Sequence, residues 1–334
     1  MSEPEDKAPP VSAPASNTEG GGTGAGGAVP VAKNSPVPPE AIKAIPVRHY
    51  GRWISAAIVL VLFGLVVAAF VNADITWPTV GRYLNQETIL TGAVNTLWIT
   101  LLAMLMGVVL GTVLAVMRLS KNPVMSSVAW GYIWVFRGTP VLVQLLIWYN
   151  LALIFPILDL GFYRDEMNDV MTPFLAALLG LGLNEAAYMA EISRAGIQSV
   201  DEGQTEAAHA LGMTGSRTMR RIVLPQAMRV IIPPTGNEFI NMLKTSSLAY
   251  AIQYSELLFS ATRISSRNLE VMELLLVATI WYLILTTIFS VGQYYLERYF
   301  QRGSSRSLPP TPWQRVRRSL TSFRTPSQVG GKTI

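Results

Sequence analysis

Polar and ionisable side chains inside apolar segments are the residues of this chain whose types and spacing suggest chemistry. Such groups are costly at membrane depth, so they usually face a bundle interior or a solute pathway. They are Gln144 in one segment, Asn184, Glu185 and Tyr188 in the next, and Asn237, Asn241, Lys244 and Thr245 in a third. The last four follow helical spacing and form one polar stripe. The pattern indicates either a pathway for a polar solute or hydrogen bonds and ion pairs between helices, for example from Glu238.

Bond-making chemistry has little support in the residues present. A phosphate-binding loop needs G-x-x-x-x-G-K-[ST] between a strand and a helix. The segment GGGTGAGG at 20–27 lacks the Lys and the Ser/Thr, and GKT at 331–333 has Pro326 where the first glycine belongs. The histidines, His49 and His209, have no ligand neighbour at metal-binding spacing, and there is no cysteine. We therefore expect no catalytic residue and no metal site in this chain.

The elements that must position the polar residues are apolar segments of membrane-spanning length. Hydrophobic residues make up 50% of the chain and charged residues 14%, and about 20 apolar residues cross a bilayer as a helix. Six segments fit, at 53–71, 93–117, 139–158, 172–190, 234–258 and 274–296. The sequence thus predicts an all-α membrane protein with six transmembrane helices. Its net charge of +5 comes from loops and tails, so we expect contact with lipid and none with nucleic acid.

Composition divides the chain into a helical region and two tails. Residues 1–50 are rich in Pro, Gly, Ser and Ala, which predicts a disordered tail. A helix at 51–72 is long enough to span and is predicted to remain uncleaved. The main helical region follows at 87–300, and the basic segment 301–334 predicts a second disordered tail. Lys and Arg concentrate in the tails and in a loop at 201–225, so we expect both termini and that loop to be cytoplasmic.

This loop reads as two short helices joined by a bend. Asp201 and Glu202 suit the start of a first helix, and Gly212 permits a left-handed exit from it. Ser216 is positioned to cap a second helix, and Pro225 predicts a break before the next span. Such an element is either a rigid knob offered to a partner or an amphipathic loop lying on the lipid surface.

The same loop carries a motif in which EAA is followed after three residues by Gly and after nine more by I-x-LP. Its members are Glu206, Ala207, Ala208, Gly212, Ile222, Leu224 and Pro225. The motif resembles the cytoplasmic loop of permease subunits of binding-protein-dependent ATP-driven importers. The segments 136–149, 186–200 and 233–250 resemble the branch that imports polar amino acids. The resemblance covers about residues 87–300 and implies a five-helix permease core preceded by one additional helix.

This resemblance also implies partners, and no cofactor in the chain itself. Two ATPase subunits would bind ATP and magnesium and hold the 206–225 segment as a coupling helix. An extracytoplasmic binding protein would deliver an amino acid, and a second permease chain, identical or paralogous, would complete the pathway in the bacterial inner membrane. The polar stripe would then line the amino-acid pathway, with Arg137, Glu191 and Arg194 as gate or structural residues.

Two alternatives stay open from the residues alone. An ion-gradient-driven amino-acid transporter needs no coupling loop and often shows internal repeats, and no such repeat is visible in the sequence. A non-transporting scaffold or sensor would have no use for the polar stripe.

Overall fold

The structure, a computed structural model, describes residues 50–300. The predicted tails at 1–50 and 301–334 lie outside this range, apart from residue 50. The longer helices are α1 (Tyr50–Val71), α2 (Trp77–Leu84), α3 (Glu87–Arg118), α4 (Pro123–Gly138), α5 (Val141–Tyr149), α7 (Pro173–Gln198), α8 (Glu202–Ala210), α10 (Leu224–Thr245), α11 (Leu257–Asn268) and α12 (Val271–Phe300). The shorter elements are β1 (Ile157–Asp159), β2 (Arg164–Glu166), α6 (Met167–Val170) and α9 (Gly215–Thr218).

The N-terminal helix α1 is an apolar helix of 22 residues. The chain divides into two units, Met1–Ala68 and Ala69–Ile334, and the boundary falls within α1. Its stretch Ile54–Val71 contains no charged residue and is long enough to cross a bilayer. α1 covers the segment predicted to form the N-terminal span.

Four helices among residues 50–300 are long and apolar enough to cross a membrane, namely α1, α3, α7 and α12. The last three cover the second, fourth and sixth predicted spans. α4 and α5 together pass the same test, but they meet at an angle of 101°, so the count reaches at most five. Six straight spans are therefore too simple a prediction, because the third and fifth segments are broken.

The third predicted span, 139–158, was wrong in its bounds. The apolar helix α4 precedes it and ends at Gly138, and the second helix begins only at Val141. Thr139 between them has an extended backbone, with φ −119° and ψ 146°. Pro140 disfavours the helical conformation in the residue before it, which explains why the chain turns here.

A short hairpin interrupts the otherwise helical chain after α5. β1 and β2 pair antiparallel with Leu158 opposite Asp165, and Gly161 in their turn adopts φ +80°. The hairpin leads through α6 into the start of α7, the end of that helix farthest from α8. The all-α prediction did not contain it, because strands of three residues show too little alternation to be recognised.

The fifth predicted span, 234–258, is broken as well. α10 ends at Thr245, and a 3-10 helix (Ser246–Ile252) and the left-handed residue Gln253 (φ 62°) lead towards α11. The break predicted at Pro225 is wrong, because α9, a π-helical turn (Met219–Val223) and α10 follow one another without a loop. Proline is tolerated in the first turn of a helix, where its missing N–H is not needed.

Helices α3 and α7 pack through small residues. Gly107 and Gly111 of α3 face Glu185 and Met189 of α7, and a Cβ on either glycine would lie 2.5 Å from the facing side chain. Small residues allow membrane helices to approach closely and gain van der Waals contact. This pair places the polar residues of α7 on a fixed support.

The start of α11 is held by a fully buried carboxylate. Glu256, with 0% of its surface exposed, accepts hydrogen bonds from the backbone N–H groups of Leu258 (2.9 Å) and Phe259 (2.6 Å). The hydroxyl of Tyr282 on α12 donates to the same carboxylate at 2.6 Å. Thr96 of α3 accepts from the N–H of Leu257 at 3.1 Å. Three helices are thereby joined at one helix start.

A second side chain supports the proline pair inside α10. Gln293 of α12 donates through Nε2 to the carbonyl of Pro233 at 2.7 Å. Gly236 lies opposite it, and a Cβ there would be 1.6 Å from the Gln293 side-chain oxygen, so a larger residue would displace the Gln293 side chain from this bond. This hydrogen bond holds α12 against the N-terminal half of α10.

Replacing Glu256 with alanine should destabilise the fold. The change leaves two backbone N–H groups and the Tyr282 hydroxyl without their acceptor, and each unsatisfied buried group costs about 1–3 kcal/mol. We expect a clearly lower unfolding temperature in detergent for E256A and a smaller loss for E256Q, which keeps one acceptor oxygen. The exposed carboxylate of Glu87 provides a matched control, and an equal loss in E87A would contradict the assignment.

Candidate functional site

One cavity collects most of the polar residues predicted for a pathway. It measures about 580 Å³ and lies between α7, α10 and the 3-10 helix that follows α10. The predicted residues that line it are Asn184, Glu185, Tyr188, Asn241, Lys244 and Thr245. The α7 and α10 groups, which are 50 to 60 positions apart in the sequence, therefore face the same space.

The cavity carries three formal charges. Glu185 is only 4% exposed, and its Oε1 has no hydrogen-bond partner. Glu238 and Lys244 line the same space. Among residues 50–300, the ion pairs are Arg164–Asp159 and Arg194–Glu191, and none includes a charged residue of the cavity. Two acidic side chains and one amine of the cavity therefore have no ion-pair partner in this range.

Gln144 lies behind the cavity wall and stabilises the break between α4 and α5. Its Nε2 donates to the carbonyl of Phe136 (3.0 Å) and to the hydroxyl oxygen of Thr139 (2.8 Å). Asn184 of α7 donates to the same Phe136 carbonyl at 2.9 Å and to Gln144 Oε1 at 3.2 Å. Carbonyls freed where a helix ends need such partners. Asn184 therefore contacts both the cavity and the helix break.

The remaining predicted residue, Asn237, is exposed and is not among the residues around the cavity. Two polar cavity residues, Glu238 and Ser247, were absent from the predicted stripe. Glu238 lies three residues before Asn241, so helical spacing places both on one side of α10. That spacing could have placed Glu238 among the predicted pathway residues. The sequence suggested only an interhelical ion pair for it, as one alternative.

The predicted gate or structural residues lie next to the cavity. The Arg137 guanidinium lies over the ring of Tyr188, 5.2 Å from its centroid, which is a cation–π distance. Arg194 forms an ion pair with Glu191 at 2.6 Å, and both residues belong to α7. Tyr188 thus has the cavity on one side and a cation on the other.

The first helix of the 201–225 loop has well-defined ends. Asp201 caps α8 by accepting from the N–H of Gly203 at 2.8 Å. At the other end the N–H of Met213 donates to the carbonyl of Ala208 (3.0 Å), and that of Gly212 to the carbonyl of His209 (2.9 Å). These two bonds define a Schellman motif, whose left-handed residue is usually glycine. The predicted left-handed exit at Gly212 is confirmed by its φ of +77°.

The second half of the loop differs from its prediction in one detail. α9 begins at Gly215, and its N-cap residue is Thr214 rather than the predicted Ser216. Thr214 has the extended backbone that an N-cap requires, and Ser216 already lies within the helix.

The residues of the loop motif divide into buried and exposed groups. Ala208 is buried, Ile222 is half-buried, and the exposed members are Glu206, Ala207, Gly212, Leu224 and Pro225. Leu211, just before Gly212, is 84% exposed. Residues 202–225 therefore form an exposed knob with apolar, acidic and basic side chains, the Glu202–Pro225 knob, which lies next to the end of α7 and continues directly into α10.

Comparison with known proteins identifies the family. Residues 107–302 match the family of binding-protein-dependent transport system inner membrane components. The chain belongs to this family and is a multi-pass membrane protein.

The similar proteins are transport permeases. The arginine transport system permease protein ArgU of Corynebacterium glutamicum is 53% identical over 81% of this chain and 86% of its own length. The probable amino-acid permease protein YxeN of Bacillus subtilis is 42% identical over 63% of this chain and 88% of its own length. A crystal structure of an amino acid ABC transporter with histidines aligns with a TM-score of 0.60 and 36% identity, over 68% of this chain and 100% of that chain.

Gln144→Leu should lower the stability of the fold, because Gln144 stabilises the break between α4 and α5. It does not line the cavity. The variant removes the hydrogen bonds that Gln144 donates to Phe136 and Thr139 and the one that it accepts from Asn184, at a cost of about 1–3 kcal/mol. Because Gln144 and Asn184 share a bond and an acceptor, the loss in the Q144L/N184L double variant should be smaller than the sum of the single losses. Lys244→Ala, a cavity residue without such bonds, should keep the wild-type unfolding temperature. Strictly additive losses would contradict the shared network.

Proposed function

We propose that this chain is the permease subunit of an ATP-driven importer of cationic amino acids. The observation that carries the proposal is the cavity between α7 and α10, in which Glu185, Glu238 and Lys244 have no ion-pair partner within residues 50–300. Family membership supports the transport role, and the cavity gives it a substrate class.

Charge complementarity supports a cationic solute. An amino acid with a basic side chain carries an α-carboxylate, an α-ammonium and a side-chain cation at neutral pH. Lys244 complements the carboxylate, and the two glutamates complement the two cations. The relative that is 53% identical is an arginine transport permease, in agreement with this assignment. A neutral amino acid would leave one glutamate without a partner, which costs free energy in a partly buried site.

The Glu202–Pro225 knob is proposed to couple the cavity to two cytoplasmic ATPase subunits, which bind ATP and magnesium. Its exposed Leu211 and Glu206 offer an apolar and an acidic contact, and Ala207 allows a close approach. The knob joins α7 to α10, the two helices that carry the charged cavity residues. A displacement of the knob would therefore change the spacing of those residues and favour one of two global states.

The remaining parts of the proposed assembly follow the family. An extracytoplasmic binding protein delivers the amino acid, and a second permease chain, identical or paralogous, completes the pathway; the chain itself holds no cofactor. We propose that the broken segment of α10 adds a sixth crossing to the five that pass the length and hydropathy test, so that both termini lie on the cytoplasmic side. The excess of Lys and Arg in the tails and the 201–225 loop supports this orientation.

Arg137 and Tyr188 are proposed to form a gate between the cavity and the cytoplasm. The Tyr188 ring lines the cavity and is covered by the Arg137 guanidinium. Separating the two groups would expose the cavity on the side of Glu191 and Arg194, whose ion pair fixes the neighbouring turn of α7.

Substitutions at Gly212 test the coupling role. Gly212→Val places a branched residue in the left-handed region at a cost of about 1–2 kcal/mol, so the Schellman turn and knob geometry should be lost. We expect transport-coupled ATP hydrolysis to fall strongly in reconstituted G212V, whereas Gly212→Asn, which tolerates this backbone, should retain most of it.

Gly215 supplies the matched control for this series. It lies in the same loop, has no atom within 4 Å of an added Cβ and is not among the positive-φ residues of the 50–300 range. G215V should couple normally. Wild-type coupling in G212V, at wild-type expression, would refute the docking role.

Cavity variants test the substrate class separately. Glu238→Gln should lower uptake of arginine relative to glutamine by about tenfold or more, because a charge-assisted hydrogen bond contributes about 1.5–3 kcal/mol. Lys244→Ala should weaken uptake of both amino acids equally, since each presents the same α-carboxylate. Competitive uptake in proteoliposomes measures both ratios, with E87Q as the control. An unchanged arginine-to-glutamine ratio in E238Q would reject the cationic assignment while leaving coupling intact.

A further inference from the structure

A second cavity, separate from the one proposed to carry the amino acid, lies between the ends of α3, α4 and α7. Its volume is about 460 Å³, and its side-chain lining is strongly basic. The ionisable residues that line it are Arg118, Arg137, Arg194 and Glu191. We call it the arginine pocket. Arg118 is the last residue of α3 and Arg194 lies close to the end of α7, so the pocket is at the end of α7 from which the knob emerges.

The arginine pocket has an excess of two positive charges. Glu191 is paired with Arg194 at 2.6 Å. Neither Arg118 nor Arg137 takes part in an ion pair within the described part of the chain. Arg118 donates to the hydroxyl of Ser126 at 2.9 Å, and Arg137 lies over the ring of Tyr188. Guanidinium groups with free donors bind phosphate in a bidentate manner.

The same pocket has an aromatic wall on α4. Trp130 and Trp134 line it, and their rings are nearly parallel, 6.2 Å apart with 8° between planes. They are 53% and 66% exposed, so their outer faces are available to lipid. Trp130, Trp134 and Arg137 are spaced four and three residues apart and so share one face of α4. Tryptophan is enriched where membrane proteins meet the headgroup layer.

From these contacts we propose that the arginine pocket binds the phosphate of an anionic phospholipid. Arg118 and Arg137 bind the phosphodiester, and the tryptophan pair packs against the glycerol and upper acyl chain. Basic pockets between membrane helices on the cytoplasmic side have this chemistry. A free phosphate would use the arginines alone, whereas the exposed rings of Trp130 and Trp134 supply an apolar surface for the lipid chain. The site shares Arg137 with the proposed gate and rests on the cytoplasmic orientation proposed above, but it does not depend on the transported substrate.

Native mass spectrometry of the full-length permease, freed of lipid in detergent, tests this site. Phosphatidylglycerol and phosphatidylcholine with identical acyl chains are titrated in parallel. The protein should retain phosphatidylglycerol at several-fold lower concentration. Arg118→Gln should raise the half-saturating concentration of phosphatidylglycerol about fivefold, the effect of about 1 kcal/mol per arginine at a membrane surface. Arg229→Gln removes an exposed arginine outside the pocket and should leave the value within about twofold of wild type.

Two further arms separate the possible sources of the phosphate. Trp134→Ser should weaken binding of phosphatidylglycerol, while inorganic phosphate in excess should not displace the lipid. If Arg118→Gln fails to fold, Arg118→Lys keeps the charge without the bidentate geometry and should give an intermediate loss. Equal binding of both lipids, equal effects of R118Q and R229Q, or displacement by inorganic phosphate would each overturn the proposal.

Discussion

A backbone carbonyl or amide that loses its helical partner inside an apolar segment must find another partner within the protein, because lipid offers none. This chain meets the constraint at three positions with a polar side chain. Gln144 and Asn184 donate hydrogen bonds to the carbonyl of Phe136, near the end of α4. Glu256 accepts hydrogen bonds from the free N–H groups at the start of α11, and Gln293 donates one to the carbonyl of Pro233 inside α10.

These contacts explain why the polar residues of the apolar segments have two different roles. Gln144, Glu256 and Gln293 are buried and bonded to backbone, so they stabilise breaks and hold α3, α7, α10 and α12 in register. Glu185 and Lys244 line the cavity without an ion-pair partner in the 50–300 range. The first group makes a rigid frame, and the second leaves charges within it for a solute. The transport mechanism proposed above needs both, since it requires a fixed frame to convert displacement of the knob into a change at the cavity.

The sequence predicts the parts of this arrangement that depend on local signals. Hydropathy locates α3, α7 and α12, helical spacing brings together most of the polar residues around the cavity, and Gly212 marks a left-handed helix end. The breaks were harder to predict, because their stabilising partners are distant in sequence: Asn184 lies 48 residues after Phe136. The predicted span at 139–158 runs through Pro140, although the residue before a proline favours an extended backbone. Pro225 was taken as a break, although a first-turn position accommodates it.

The most direct measurement of the central claim is amino-acid uptake into proteoliposomes that hold this permease with its candidate ATPase and binding protein. The account predicts accumulation of labelled arginine that requires ATP, the ATPase and the binding protein, and that persists when ionophores abolish all ion gradients. Accumulation driven by an ion gradient in vesicles containing the permease alone would contradict it.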